Sequence, residues 1–134
     1  MIKKITLGIT LLFSTLMFAS PAYADWESIG VSVDGNTIYV DFDRIRKNGS
    51  YVYWWELTDY PKPNKYGYLS ISAYQQGDCE VFRHKVLSFL FDKQPMGEGS
   101  GELYSPSNPV WIYPSPNSAA ETILKGVCKI AETL

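Results

Sequence analysis

Hydrophobic and polar positions change period several times along the chain, and each change marks an element. After Trp26, Ile29, Val31 and Val33 alternate with Ser28, Gly30 and Ser32; Asp34-Gly35-Asn36-Thr37 interrupts, and Ile38-Tyr39-Val40 resumes. A period of two broken by residues that reach φ > 0 cheaply predicts a β-hairpin. Asp41-Phe42-Asp43 closes the second strand, with Asp43 as N-cap, and Arg44 to Gly49 reads as one helical turn ended by a left-handed residue. Tyr51 to Tyr60 is the strongest strand: Tyr51, Tyr53, Trp55 and Leu57 share one face, Val52, Trp54, Glu56 and Thr58 the other, until Pro61-Lys62-Pro63-Asn64 stops it. Tyr68 to Tyr74 alternates again, and Val86 to Phe91 is apolar almost throughout, as in a strand buried on both faces. Gln94 to Gly101 reads as a loop, and Pro106, Pro109, Pro114 and Pro116 confine Val110 to Tyr113 to a short edge strand.

Ser118-Ala119-Ala120-Glu121 is a capping box, in which the Ser118 hydroxyl takes the N–H of Glu121 and the Glu121 carboxylate returns to that of Ser118. Ala120, Leu124, Val127, Cys128 and Ala131 then recur at helical spacing. The predicted class is α+β: a curved antiparallel sheet of about five to six strands with one C-terminal helix packed on it. Residues 25–134 form a single domain, with no internal repeat.

Residues 1–24 stand apart. Lys3 and Lys4 precede an uncharged run from Ile5 to Ala19, and Ala22-Tyr23-Ala24 offers small residues at the two positions a signal peptidase reads. The run is shorter than the roughly 20 residues that cross a bilayer, so a signal peptide cleaved after Ala24 is expected, leaving no membrane span. The product is exported, to the periplasm, the cell surface or the medium. Its two cysteines, Cys79 and Cys128, both lie in the exported part, where oxidising conditions favour a disulfide, and the second sits on the helix stripe. That bond would tie helix to sheet.

A net charge of −2 removes the electrostatic basis for nucleic-acid binding, while 46% hydrophobic and 19% charged residues mark a folded chain. Catalytic constellations are missing: no Cys-x-x-Cys, His-Glu-x-x-His or Gly-x-Ser-x-Gly occurs, so no catalytic residue, metal site or cofactor is assigned. The single histidine, His84, is expected to face solvent between Arg83 and Lys85, and Gly97 to Gly101 to form a turn. Asp41 and Asp43, two apart on a strand end, are the carboxylate pair a small hydrolase would need, although turn capping accounts for both. Aromatic residues make up 15%, an excess suited to strands and contact surfaces. One helix cannot cover both faces of a single sheet, which makes Trp54 the candidate ligand-binding residue, its alternative being burial in a second small core or dimer seam.

The order Trp26, Tyr39-Val40-Asp41, Arg44-Ile45, Gly49, Trp55-x-Leu57-x-Asp59-Tyr60, Asp78-Cys79, Met96-Gly97-Glu98-Gly99, Trp111, Pro116-x-Ser118-x-Ala120-Glu121 and Cys128 resembles the bacterial surface-adhesin protein E-like domain. The resemblance spans essentially the whole exported part. It implies an envelope protein whose family namesake binds host extracellular-matrix proteins and haem and can form a homodimer. The leading functional expectation is a non-enzymatic binding module, working through an aromatic strand face that includes Trp54 or through an unpaired strand edge. A periplasmic small-ligand carrier of the haem type is the alternative, with Met96, His84 or a tyrosine on iron, and a hydrolase built on Asp41 and Asp43 is the third.

Overall fold

The computed structural model describes residues 24–134, so the expected signal peptide falls outside the described residues except for Ala24. Seven strands and one helix follow in order: β1 Glu27–Val31, β2 Thr37–Val40, β3 Arg46–Asn48, β4 Tyr51–Asp59, β5 Ser70–Asp78, β6 Arg83–Asp92, β7 Glu102–Tyr104 and α1 Ala119–Ala131. They make one antiparallel sheet in the order β1-β2-β4-β5-β6-β7, and β3 shares with β2 a single edge of β4. The first hairpin turns at Gly35, whose φ of 84° only glycine adopts without strain.

The chain between β2 and β3 departs from the pattern expected of it. Phe42–Arg44 forms a 3-10 turn capped by Asp41, not Asp43, and the stretch expected to continue as helix is instead strand β3. The reason is pairing. Asp41 N–H donates to the carbonyl of Trp55 at 3.2 Å, so the chain stays in register with β4 until the turn lifts it off. It returns as Arg46–Asn48 opposite Tyr51–Tyr53, where ladder hydrogen bonds outweigh one isolated helical turn. Gly49, at φ 62°, makes the turn into β4.

Three further expectations change for the same kind of reason. β5 runs on past Tyr74 through Gln75, Gln76 and Gly77 to Asp78, paired with β4 throughout and shifted against β6 between Tyr74 and Gln75. β6 is only partly buried along most of its length, since the sheet is one layer and the helix packs elsewhere. Of Val110 to Tyr113, Ile112 alone joins the sheet, exchanging two hydrogen bonds with His84 at 2.7 and 2.9 Å.

The core lies between α1 and one end of one face. Val40, Ile45, Val52 and Trp54 meet Ile123, Leu124, Val127 and Ala131 of the helix. Gly77, opposite Val52, leaves the space that Trp54 and Leu124 occupy. Ser118 caps α1 by accepting the Glu121 N–H at 3.1 Å, but the reciprocal arm is shifted: Glu121 Oε1 accepts from Asn117, and the Ser118 N–H donates to Ser115. Cys79 and Cys128 are bonded, with Cα atoms 5.8 Å apart, joining the turn after β5 to the helix.

Candidate functional site: the aromatic face opposite the helix

The alternation of β4 distributes its two tryptophans to opposite sides of the sheet. Trp54 is 1% exposed beneath α1, which removes it as a contact residue. Its indole N–H donates to Glu56 Oε1 at 2.9 Å, and burial pushes the Glu56 carboxyl up to about 7, against the hydrogen bonds from Trp54 and Gln75. Gln75 Oε1 lies 2.8 Å from Nδ1 of His84. His84 is therefore buried in a polar row under the helix side rather than facing solvent, because β6 runs inside the sheet at that point, between β5 and Ile112. Burial holds its imidazole below the ordinary value, and its Nε2 has no hydrogen-bond partner among the described residues.

The other row of β4 carries the surface. Trp55 and Tyr53 both pack on Tyr74 of β5, with ring centroids 5.0 and 6.2 Å apart, and Tyr51 stacks on Trp111 at 6.0 Å. All five rings are partly exposed. Gln76 Nε2 donates to the Tyr53 hydroxyl, and the Arg83 guanidinium and Lys85 ammonium lie 4.2 and 4.4 Å from the Trp111 ring centroid. Such cation–π contacts hold the ring of an otherwise irregular segment against the sheet. Arg83 also pairs with Asp78 Oδ2 at 3.1 Å. Burial opposes the Asp78 charge, but the N–H of Val81, the Arg83 guanidinium and the N–H of Glu80 outweigh it and hold the carboxyl below its ordinary value.

One end of this face is closed by the loop after β6. Buried Asp92 accepts the N–H groups of Gln94 and Gly99, Asp59 that of Met96, and Ser70 Oγ that of Gly97. Leu57 is sealed beneath it, 1% exposed. Between this loop and the start of the chain's described part opens a cleft of about 220 Å³, lined by Trp26, Trp55, Leu90 and Gly97 with Asp41, Arg44 and Ser72. Asp41 is fully buried; Oδ1 accepts the Asp43 N–H at 3.2 Å and Oδ2 lies 3.1 Å from Arg44 Nε. Asp43 is exposed in a separate hollow with Asp25 and Glu27, and a hydrogen bond with Asp25, then repulsion from its charge, raises the Asp43 carboxyl. The two carboxylates thus do not straddle a common cleft. Met96 sits in the loop over Asp59, well away along the sheet from His84, and no group of three His, Cys, Asp or Glu able to hold a metal occurs among the described residues.

The exposed aromatic residues that sequence reasoning did not single out as candidates are Trp55, Tyr53, Tyr74 and Trp111. The signal that distinguishes the faces is Gly77: a residue without a side chain beside Val52 and Trp54 is what lets a helix approach that row, leaving the tyrosine row outside.

The sequence profile of the surface-adhesin protein E family matches residues 26–129, and the chain belongs to that family. Its fold is similar to solved structures of protein E from Haemophilus influenzae. The second crystal form of that protein aligns with TM-score 0.56 and 16% identity over 83% of this chain and 94% of that one. The selenomethionine form aligns with TM-score 0.55 and 17% identity over 76% and 85%, and protein E from a non-typeable strain with TM-score 0.53 and 16% identity over 76% and 75%. A search among curated proteins returns no match. No helix among the described residues is long and apolar enough to cross a membrane.

Proposed function

We propose that this chain is an exported, non-enzymatic adhesin that grips a partner protein, of the host extracellular-matrix class, through the aromatic face formed by Tyr51, Tyr53, Trp55, Tyr74 and Trp111. The observation carrying this reading is the register of β4 and β5, which gathers rings into a row left uncovered by the helix. Partly exposed Tyr and Trp side chains offer large contact area at low conformational cost and dominate binding energy where they anchor an interface. Binding rather than turnover is favoured because the Asp41 carboxylate is buried and committed to the Asp43 N–H and to Arg44, while the Asp43 carboxylate faces a different hollow.

Surface plasmon resonance of the purified protein over immobilised matrix proteins tests this. Tyr74→Ala and Trp111→Ala are expected to weaken binding roughly tenfold or more while circular dichroism stays unchanged. Wild-type affinity in both folded variants would move the contact to the outer edges of β1 and β7, where a partner strand could pair.

A further inference from the structure

We propose that the partner segment gripped by the aromatic face is acidic, with carboxylates on either side of an apolar or aromatic side chain. This rests on the reading of that face as the contact surface and adds what the face selects. Arg46 of β3 stands opposite Tyr53 of β4, Tyr53 opposite Gln76 of β5, and Gln76 opposite Lys85 of β6. Directly opposed residues of antiparallel strands project to one face, so a cation closes each end of a row whose middle is Tyr53 and Gln76. The next row runs from Tyr51 through Asp78 to a third cation, Arg83.

These rows carry the sign opposite to that of the whole chain. Asp and Glu outnumber Lys and Arg overall, yet the one carboxylate in the two rows is Asp78, buried and already held by Arg83. Glu56 shares the face of Trp54, Glu80 lies in a hollow with Cys79 and Cys128, and Asp25, Glu27 and Asp43 gather around Phe42. Arg46 is exposed and, like Lys85, forms no ion pair among the described residues. A partner seated on Trp111 also crowds the Arg83 guanidinium and the Lys85 ammonium, which sit 4.2 and 4.4 Å from its ring centroid. A neutral partner strips water from two cations that share one carboxylate, a basic partner adds repulsion, and an acidic partner supplies the missing counter-charge.

The spacing shapes the segment. Three strand intervals of roughly 4.8 Å set the Arg46 and Lys85 backbones about 14 Å apart, which an extended chain covers in about four residues at roughly 3.3 Å each. Carboxylates four positions apart therefore reach both cations while the side chains between them lie on Tyr53 and Tyr74. A sulfated polysaccharide carries repeated charge and no apolar group for those rings, and it meets a molecule that is acidic overall, so the face favours a peptide.

Fluorescence anisotropy of labelled peptides provides the test: Glu-Glu-Leu-Tyr-Leu-Glu-Glu, the same peptide with Gln for each Glu, and the same with Lys for each Glu. The acidic peptide is expected to bind saturably, roughly tenfold or more tighter than either analogue, and to lose roughly tenfold in affinity between about 50 and 500 mM NaCl. Arg46→Gln and Lys85→Gln each weaken it about threefold and together roughly tenfold, and Arg46→Lys restores most of the loss. Arg46 makes no cation–π contact among the described residues, so its effect is free of any loosening of Trp111. Lys129→Gln, on the exposed side of the helix, leaves binding unchanged. Equal binding of the acidic and neutral peptides, or wild-type affinity in the folded Arg46→Gln, Lys85→Gln double variant, overturns the proposal. So does binding of heparin where the acidic peptide does not bind. The same variants over immobilised matrix proteins separate the two readings. Matrix binding lost in Tyr74→Ala but indifferent to salt and to the double variant removes the acidic preference and keeps the face. Matrix binding unchanged in both Tyr74→Ala and Trp111→Ala removes the face as the contact surface, and the acidic preference falls with it.

Discussion

Gly77 of β5 lies directly against the ring of Trp54: a Cβ atom on Gly77 would stand 2.8 Å from Trp54 Cζ3, and equally close to Leu124 Cδ1. Neither neighbour can retreat, since both are within the packed core. Gly77→Ala is therefore expected to destabilise the domain by about 1–3 kcal/mol through overpacking, read as a lower urea midpoint with an unchanged m-value.

The two adjacent tryptophans of β4 should separate stability from binding. Trp54→Ala empties the centre of the core and is expected to cost about 3–5 kcal/mol. Trp55→Ala removes a partly exposed ring, and its cost should be about 1 kcal/mol or less. Equal losses in denaturant unfolding of the two variants would contradict the assignment of faces.

Reduction should matter more than the position of a surface bond would suggest. The Cys79–Cys128 bridge closes a span of 49 residues that includes β6, β7 and the approach to α1. Its removal in the Cys79→Ala, Cys128→Ala double variant is expected to lower stability by about 2–4 kcal/mol, with reductant reproducing the shift in wild type and leaving the double variant unaffected.

Glu56 and His84 pull the pH dependence of stability in opposite directions. With its carboxyl at about 7 when folded against an ordinary 4.5, Glu56 keeps a proton that the unfolded chain releases. Its contribution therefore falls by up to about 3 kcal/mol as pH rises between those values and is flat above them. His84 is held below 6.5, so the unfolded chain takes up a proton that the folded chain refuses, and stability is lost as pH falls through that value. Glu56→Gln should thus leave a stability that climbs as pH rises towards 6.5, and His84→Gln one that declines as pH rises from 4.5 to about 7, as urea midpoints at constant ionic strength would show.

The strand patterns, the helix with its Ser118 cap and the cysteine pairing were legible because each is a local or compositional signal. The choice of face was not. Alternation along β4 separates Trp54 from Trp55 but is symmetric as to which one meets the helix, and both rows carry aromatic rings. Deciding it needs the pairing of Val52 with Gly77, a contact across 25 positions that no periodicity encodes. β3 was invisible for a related reason: Arg46, Lys47 and Asn48 are all exposed and carry no apolar alternation, so only the free edge of β4 makes them a strand. Trp111 reaches the aromatic face through the pairing of its neighbour Ile112 with His84, again a long-range event. Asp41 and Arg44, which line the cleft, flank a 3-10 turn at Phe42–Arg44, ahead of the Arg44 to Gly49 stretch that the pattern predicts as a helical turn.

The division of β4 into an inner and an outer row has a bearing on how such a protein can change. Positions 52 and 54 answer to the helix, and a replacement there is judged by whether the domain folds. Positions 51, 53 and 55 carry the partly exposed row, and under the function proposed above a replacement there is judged by what the domain holds. Because neighbouring residues on one strand are under these separate tests, the outer row can be rewritten for a new partner while the inner row, the glycine beneath it and the bridge to the helix stay as they are.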